Sequence, residues 1–247
     1  MSNILIIGES CLDVFTYCDA RRLCPDVPVP VLNINNIVES PGMAKNVERN
    51  ILKYCKCNLI TNSNWSQISK TRFVDDKTNH HFFRVDTEEN VGKVDLNTCL
   101  TLAPLFEIVV ISDYDKGFLS KEDIQQISQK SKVSFLDTKK ILGDWALDCT
   151  YIKINNHEYN NSKHYIESSP IKNKIIHTDG ANGSNFMGEN FSVPYKIEVK
   201  DSSGAGDSFL SALVVCFIKT KNIIDSIKFA NSQACQVVQH RGVTTII

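Results

Sequence analysis

The sequence predicts an α/β fold, in which a mostly parallel central sheet has helices on both faces and a small β lid is attached to it. Short apolar runs alternate along the chain with helical patterns, which is typical of parallel strands joined by helices. The first run is Ile4 to Ile7, closed by Gly8. Polar clusters follow later runs, as expected where parallel strands end at one edge of a sheet. The predicted strands span residues 4–8, 107–112, 133–137, 151–154 and 174–178.

Helical patterns occupy most of the intervals between these strands. After Ser120, the acidic residues Glu122 and Asp123 fall in a first helical turn, where the helix dipole favours negative charge. A hairpin is expected over residues 186–193, just before the glycine-rich segment described below. The predicted helices cover residues 47–54 and 95–105, begin at Ser120 and Ser208, and cover residues 223–238.

Two segments that interrupt this alternation are predicted to form the lid. Prolines at positions 25, 28 and 30 exclude a central sheet position, so residues 15–17 and 27–34 are expected to be exposed or edge strands. Short β-like pieces recur at residues 71–74 and 81–85. We therefore expect lid segments near residues 13–36 and 70–86, inserted into a single domain of residues 1–247.

Composition and charge exclude several classes of protein. With 42% apolar and 22% charged residues the 247-residue chain is predicted to be globular, and its net charge of −1 offers no general attraction for nucleic acid or an anionic membrane. The sequence contains no apolar run of membrane-spanning length, and we expect no signal peptide. Nine cysteines without a Cys-x-x-Cys pair predict reduced thiols of a cytoplasmic protein and no structural zinc.

The glycine-rich segment 201–207, Asp-Ser-Ser-Gly-Ala-Gly-Asp, leads directly into the apolar run that begins at Ser208. This pattern predicts a turn that becomes a helix N-terminus, where unpaired N–H groups bind a phosphate or another oxyanion. Asp207 lies beside these N–H groups. Its carboxylate is interpreted either as an ordinary first-turn acid, which stabilises the helix, or as a catalytic base beside the anion site.

Polar side chains follow one predicted strand after another. In a parallel sheet these positions share one edge, so we expect them to converge on the glycine-rich turn. Glu9 and Asp13 after the first strand are either part of this edge or an ordinary polar loop. The other converging residues are Asp113, Lys116, Asp137, Lys139, Asn155, Glu158 and Gly180.

These residues resemble the ribokinase-like, or PfkB, family of carbohydrate kinases. Segment 201–207 matches the family signature of an acid, two small residues and Gly-Ala-Gly-Asp. Segments 8–13, 25–31, 41–50, 84–86 and 112–117 are most similar to the heptose 7-phosphate kinase branch, so the resemblance extends over nearly the whole chain. It implies a three-layer α/β/α sandwich with a small β lid, and transfer of the γ-phosphate of ATP to a sugar hydroxyl.

The resemblance also implies roles for individual residues. Asp207 matches the base, and Gly204, Ala205 and Gly206 match the backbone cradle of the transferred phosphoryl group. Asn155 and Glu158 match a motif that holds Mg²⁺, through water. The positions that match nucleotide contacts are Thr178, Gly180, Gly183 and Asn231, and those that match sugar contacts are Asp13, Gly42 and Asn46. Arg72, Lys116 and Lys139 are expected to contact a phosphate already on the sugar.

ATP and Mg²⁺ are the implied cofactors, and dependence on a monovalent cation is left open. The implied partners are a sugar or sugar phosphate, a second copy bound through the lid, and a separate nucleotidyltransferase of the same pathway. Neither nucleic acid nor a membrane is expected as a partner. A kinase of another sugar or of a nucleoside, and a non-catalytic binder of sugar phosphates or nucleotides, are the alternative functions.

The chain departs from the branch at three places. Met43 and Lys45 stand where the branch usually has Gly and Ala, which is expected to bring a side chain and a charge into a close-approach loop. Glu9 replaces an Asp. Between Asn58 and Lys70 the chain is too short for the strand and helix that family members carry there.

Overall fold

The computed structural model describes residues 3–87, 90–194 and 198–246. In chain order the strands are β1 (Ile4–Gly8), β2 (Ser10–Leu23), β3 (Pro30–Met43), β4 (Cys57–Ile60), β5 (Ser69–Asp75), β6 (His81–Asp86), β7 (Ile108–Asp113), β8 (Ser134–Thr138), β9 (Tyr151–Asn155), β10 (Ile175–Thr178), β11 (Ser184–Phe186) and β12 (Glu189–Phe191). The α-helices are α1 (Ala44–Ile51), α2 (Leu96–Leu102), α3 (Lys121–Lys130), α4 (Asn156–Ser168), α5 (Ala205–Thr220) and α6 (Ile223–Val237).

The central sheet has eight strands in the order β12-β11-β10-β9-β8-β7-β1-β4. The six strands from β10 to β4 are parallel, whereas β11 and β12 add antiparallel pairs at one edge. All five predicted sheet strands are confirmed, with shifts of at most one residue at their ends. The carboxyl ends of the parallel strands therefore form one edge, where the predicted polar side chains lie.

Two apolar cores separate the three layers of the fold. Because successive strand residues point to opposite faces, Ile4 and Ile6 of β1 pack on α1, α5 and α6, while Leu5 and Ile7 pack on the side of α2, α3 and α4. Each helix contributes buried apolar residues to the core on its side. The predicted α/β/α sandwich is confirmed.

The lid is a second sheet of four strands in the order β3-β2-β5-β6. The expectation that residues 15–17 are exposed or at an edge is wrong, because β2 pairs with both β3 and β5 and buries Phe15 and Tyr17. The prolines constrain only the neighbouring strand: Pro25 and Pro28 precede β3, and Pro30 is its first residue. β3 is one of the two edge strands of this sheet, which fits Pro30 at its start and its exposed middle.

The starts of α2, α3 and α6 agree with the sequence patterns, whereas α5 begins at Ala205 rather than at the predicted Ser208. Ser120 and Asp123 form a reciprocal capping box at the start of α3, and Asp95 caps α2. The first predicted helix begins at Ala44 rather than at residue 47, and the second ends at Leu102 and continues as a 3₁₀ turn. The predicted hairpin corresponds to β11 and β12.

The shortened segment between Asn58 and Lys70 leaves β4 at the edge of the central sheet. It contains a single 3₁₀ turn, Trp65–Gln67, on its way to the lid. All nine cysteines lie in the described part of the chain, and none of them forms a disulfide bond there. Among residues 3–87, 90–194 and 198–246, every helix is too short or too polar to cross a bilayer.

Candidate active site

Helix α5 begins in the glycine-rich turn, so the predicted anion site lies at a helix N-terminus. Gly204 has φ = 75°, a left-handed conformation that favours glycine, and no side chain of the described residues caps the helix. A Cβ atom on Gly204 would lie 3.1 Å from Nδ2 of Asn46, so the turn also needs the space. Gly204, Ala205, Gly206 and Asp207 line a cavity of about 910 Å³. The N–H of Ala205 donates to the carbonyl of Ser202 at 3.2 Å, so the N–H groups of Gly206 and Asp207 are the ones that this helix start offers to a bound oxyanion.

Asp207 lies in the first turn of α5 and is almost fully buried. Its Oδ2 accepts a hydrogen bond of 2.9 Å from Nδ2 of Asn46, and its Oδ1 accepts one of 2.5 Å from the hydroxyl of Tyr114. Burial raises the pKa of Asp207 to about 6, although these two donors act in the opposite direction. The carboxylate is thus ionised at neutral pH but holds a proton more strongly than an exposed aspartate, as a general base requires.

A buried ion pair lies against the same turn. Nζ of Lys153 on β9 is 2.8 Å from Oδ2 of Asp137 on β8, and both side chains are at most 5% exposed. A Cβ atom on Gly206 would lie 2.9 Å from this ammonium group. Lys153 was missed by the sequence reasoning. Its signal was a lysine inside an otherwise apolar strand, a position where lysine is seldom buried without a partner.

Asn155 and Glu158, the predicted Mg²⁺ residues, form the capping box of α4. Asn155 accepts from the N–H of Glu158, whose carboxylate accepts in return from the backbone and side-chain nitrogens of Asn155. Lys139 forms an ion pair with the same carboxylate. In the described part of the chain no three His, Cys, Asp or Glu side chains are grouped so as to hold a metal ion directly.

The predicted nucleotide residues Thr178, Gly180, Gly183 and Asn231 all line the cavity. Gly180 and Gly183 have φ values of 51° and 90°, which explains the choice of glycine at both. A Cβ atom on Gly183 would overlap the carbonyl of Phe191. Asn231 is buried and donates to Oγ of Ser184 and to the same carbonyl, so it also joins α6 to the β11–β12 hairpin.

The predicted sugar residues lie where the lid meets α1. Arg72 on β5 forms an ion pair of 2.6 Å with Asp13 on β2. Gly42 lies opposite Cys11 in the β2–β3 pair, and a Cβ atom there would overlap the carboxylate of Asp13. Asn46 is in the first turn of α1 and reaches across to Asp207.

The three predicted phosphate-binding cations have different surroundings. Lys139 lines the cavity and pairs with Glu158, Arg72 pairs with Asp13, and Lys116 is exposed after β7. Arg72 and Lys139 therefore each form an ion pair with a carboxylate inside the protein.

The unusual residues Met43 and Lys45 are accommodated in opposite ways. The Lys45 ammonium group lies 3.2 Å from Glu48 and 4.9 Å from the ring centre of Trp65, so the expected charge is held by neighbours on α1 and in the shortened segment. Met43 is buried with φ = 58°, and it packs against Cys11 and Ile68. Its side chain is part of a small apolar cluster under the lid.

Solved structures show the same fold at low sequence identity. Ribokinase from Arabidopsis thaliana, a structure complexed with ribose and ATP, superposes with a TM-score of 0.73 at 13% identity and covers 98% of this chain and 94% of its own. Ribokinase from Thermotoga maritima superposes with a TM-score of 0.71 at 16% identity, covering 98% of this chain and 95% of its own. The fold is therefore ribokinase-like.

Curated relatives are similar over the full chain. The bifunctional protein HldE of Blochmanniella floridana is 25% identical over 99% of this chain, and that of Nitratiruptor sp. is 26% identical over 98%. The first alignment extends over 296 positions against 247 residues here, so the relative contains segments that this chain lacks. The chain spans 61% and 63% of the length of these two relatives.

The family model for pfkB family carbohydrate kinases matches residues 122–247, a stretch that begins in α3 and includes the glycine-rich turn, Asp207 and α6. This match covers half of the chain and contains the anion site described above. The chain belongs to the pfkB family of carbohydrate kinases, which are phosphotransferases acting on a sugar hydroxyl.

Proposed function

We propose that this chain is an ATP-dependent kinase that phosphorylates the anomeric hydroxyl of a heptose 7-phosphate. The observation that carries the proposal is the position of Asp207, a buried carboxylate in the first turn of the uncapped helix α5. A base and an anion site are thereby within one helical turn of each other. Phosphoryl transfer needs this combination, since it depends on alignment and on stabilisation of charge at the transferred group.

In this proposal Asp207 accepts the proton of the acceptor hydroxyl, and Asn46 and Tyr114 hold its two oxygens in place. The N–H groups of Gly206 and Asp207 and the ammonium group of Lys153 would stabilise negative charge on the transferred phosphoryl group. Asp207 is a weak base compared with the alkoxide form of the acceptor hydroxyl, which suits a transition state in which the proton is transferred late.

The cavity fits ATP by size and chemistry. Its volume of about 910 Å³ is in the range of cofactor sites, and it combines the glycine-rich turn with the apolar side chains of Val193, Val199, Ala234 and Val238. ATP would supply the γ-phosphoryl group at the turn. The polar residues Thr178 and Asn231 and the backbone of Gly180 and Gly183 would line its nucleoside end.

Mg²⁺ fits this site through water rather than through a direct cage. The oxygens of Asn155 and Glu158 already accept hydrogen bonds from each other's nitrogens and from Lys139, and the ion usually retains several waters when it is bound to phosphates. These two residues would therefore hold the waters of the ion. Dependence on a monovalent cation stays a prediction to which we assign no residues.

The heptose 7-phosphate is supported by the sequence resemblance to that branch and by the similarity to the HldE proteins. Arg72, Lys116 and Lys139 are the cations proposed to face its phosphate. Because Arg72 and Lys139 are held by Asp13 and Glu158, a bound phosphate would compete with these carboxylates or share their partners. The phosphate already on the acceptor is thus expected to lower KM more than it raises kcat.

The experiment is ATP turnover with a panel of acceptors: heptose 7-phosphates of both anomeric configurations, other sugar phosphates, unphosphorylated sugars and nucleosides. Highest kcat/KM for a heptose 7-phosphate supports the proposal. Highest kcat/KM for a sugar without phosphate, or for a nucleoside, would contradict the heptose 7-phosphate and identify a kinase of the same family with another acceptor. Binding of ATP and sugar phosphate in thermal-shift measurements without any transfer identifies a non-catalytic binder instead.

Lys139→Glu is the companion variant to this panel. If Lys139 faces the acceptor's phosphate, charge reversal raises KM for sugar phosphates and leaves KM for the corresponding unphosphorylated sugars unchanged. Lys163→Glu is the matched control, because Lys163 lies on the exposed face of α4 and pairs only weakly with Glu167 at 3.7 Å. An equal rise of KM for both kinds of acceptor contradicts the assignment of Lys139.

Further proposals concern assembly, which the lid supports, and location. Exposed apolar side chains gather on its edge strands, with Ile34, Ile37 and Val38 on β3 and Phe83 and Val85 on β6. We propose a homodimer through this sheet, which light scattering during size-exclusion chromatography tests. We also propose a cytoplasmic location, which the absence of disulfide bonds among the nine cysteines supports. We further propose that a nucleotidyltransferase of the same pathway uses the product.

A further inference from the structure

Glu9 is a buried carboxylate directly after β1, and its hydrogen bonds are unequal. Its Oε1 accepts from the backbone N–H of Tyr114 at 3.0 Å and from that of Lys116 at 2.9 Å. Its Oε2 is buried and has no hydrogen-bond partner among the described residues. One oxygen therefore holds the loop that follows β7, while the other is left without compensation, which is costly for a charged group.

The loop that Glu9 holds is strained at its centre. Asp115, between the two bound N–H groups, has φ = 58°, a left-handed conformation that a side chain disfavours. Such a conformation persists only where neighbouring contacts impose it. The two N–H groups on either side of Asp115 both donate to Glu9. Glu9 therefore fixes the loop together with the ion pair of 2.8 Å between Asp115 and Lys140 and the longer hydrogen bond of 3.4 Å from the N–H of Asp115 to Oδ1 of Asp113.

The same loop carries the side chain that contacts the base. The hydroxyl of Tyr114 donates to Oδ1 of Asp207 at 2.5 Å. β1 and β7 are neighbours in the sheet, with Gly8 opposite Ser112, so Glu9 and Tyr114 emerge side by side at the edge where the site is built. A continuous chain of contacts runs from the Glu9 carboxylate through the Tyr114 backbone and phenol to Asp207.

We propose that Glu9 is a positioning residue that holds Tyr114 in place as a hydrogen-bond donor to Asp207, and that it thereby controls how strongly the base binds its proton. This inference rests on the proposed role of Asp207 as base. A donor to the charged form of a carboxylate lowers its pKa, and the effect is lost if the donor is displaced.

Other charged groups also act on the pKa values of Asp207 and Glu9. Asp207 faces Asn46 and Tyr114, and the charges of Asp137 and Lys153 act on it from β8 and β9. Glu9 faces Asp113 at the end of β7 and Lys140 after β8. Burial, reinforced by Asp113, raises the pKa of Glu9 to about 7. When Glu9 is protonated, a proton on Oε2 leaves Oε1 free to accept both N–H groups, so either charge state can hold the loop.

The test measures the pKa of Asp207 directly, by carbon-13 NMR of protein labelled at the aspartate side-chain carboxyl carbon, with the signal assigned through Asp207→Asn. Tyr114→Phe removes the donor and is expected to raise the pKa of Asp207 by about one unit, the size expected for one hydrogen bond to a charged group. Glu9→Leu removes the acceptor that holds the loop and is expected to shift it in the same direction. The double variant should shift no further than Tyr114→Phe alone.

Glu9→Gln separates positioning from charge. Its amide oxygen can replace Oε1 as acceptor, so the pKa of Asp207 should stay near the wild-type value. Tyr165→Phe is the matched control, because this phenol donates to a different carboxylate, Asp144, at 2.6 Å. If Glu9→Leu does not fold, Glu9→Asp takes its place, since it retracts the acceptor by one methylene group and must also raise the pKa.

Two results overturn the inference: an unchanged pKa of Asp207 in the folded Glu9 variant, or shifts from the Glu9 and Tyr114 variants that add in full. A fall in melting temperature without a shift in this pKa shows a purely structural role for Glu9 and also overturns it. The titration requires no substrate. A wild-type protein that phosphorylates no acceptor would contradict the proposed function, and would leave this measurement as a valid test of the positioning.

Discussion

The side-chain amide of Asn46 donates a hydrogen bond of 2.9 Å to Asp207, although 161 positions separate the two residues in the chain. The direction of the amide is set by Asn50, one turn further along α1, whose Nδ2 donates to the backbone carbonyl and to Oδ1 of Asn46. The oxygen of Asn46 is thus occupied and its nitrogen faces the carboxylate. Oδ1 of Asn50 in turn accepts from the N–H of Ile246, so the C-terminal segment also contributes to this orientation.

Replacement of Asn46 should change the pH dependence of activity. Asn46→Ala removes one donor to the charged form of Asp207, and we expect the acid limb of kcat/KM to move upward by about one pH unit. Asn46→Asp places a second carboxylate beside the first and should move it further, because like charges disfavour ionisation. The measurement is kcat/KM between pH 5 and 9. Identical pH profiles for Asn46→Ala and Asn46→Asp would contradict a direct effect of residue 46 on the pKa of Asp207.

The burial of Asp207 predicts a pH-dependent cost in stability. Its pKa is raised from 3.8 to about 6, so the folded state binds the proton more tightly and the contribution of this carboxyl to stability falls as the pH rises through that interval. Asp207→Asn does not titrate. Relative to wild type, the variant should therefore be more stable at pH 8 than at pH 4.5, by about 2 kcal/mol, because part of the total effect of about 3 kcal/mol is already lost at pH 4.5.

Chemical denaturation at the two pH values checks this prediction. Loss of the hydrogen bond from Asn46 lowers the stability of the variant at every pH and does not affect the comparison. The same difference at both pH values would show that Asp207 is not desolvated as the structure indicates.

The Lys153–Asp137 pair should separate stability from activity. Lys153→Met leaves a buried carboxylate without its partner and is expected to cost about 3–5 kcal/mol of stability, along with activity. Adding Asp137→Leu removes the unpaired charge and should restore most of the stability, while activity stays low because the cation at the turn is still missing. Denaturation midpoints and turnover are measured on both proteins. Recovery of activity together with stability would remove Lys153 from the proposed anion site.

The backbone conformation of Met43 predicts an unusual order of stability for its replacement by glycine and by alanine. Glycine normally destabilises a protein relative to alanine, by about 0.5–1 kcal/mol in regular structure. Met43 has φ = 58° and ψ = −134°, a region that is nearly restricted to glycine. Met43→Gly and Met43→Ala both lose the packing against Cys11 and Ile68, but only glycine relieves the strain. Met43→Gly should therefore be the more stable of the two by denaturation, and the reverse order would show that this conformation is not strained.

The sequence predicts the parts of this molecule that local patterns determine. Apolar runs closed by glycine or polar residues identify β1, β7, β8, β9 and β10, and the capping pattern after Ser120 identifies α3. The glycine-rich turn and the acid beside it are equally local. The convergence of the polar strand ends on this turn follows from the parallel order of the strands.

Pairings between distant segments were harder to predict. Phe15 and Tyr17 were expected to be exposed because the nearby prolines suggested an edge, yet β2 gains a second neighbour in β5, more than forty residues later. Lys45 was expected to bring a charge into the site, and only the fold shows that Trp65 and Glu48 take it up. The contacts of Glu9 and Lys153 depend on which side chains face each other across the sheet edge, which residue spacing does not encode.

Single-turnover phosphoryl transfer from ATP to the preferred acceptor of the panel tests the role of Asp207 most directly. Asp225→Asn is the matched control, because Asp225 is an exposed first-turn acid of α6 that stabilises the helix and lies in no cavity described above. We predict a rate lower by a factor of about 10²–10⁴ for Asp207→Asn and an unchanged rate for Asp225→Asn. Equal rates in wild type and Asp207→Asn would contradict the assignment and return Asp207 to the role of an ordinary first-turn acid.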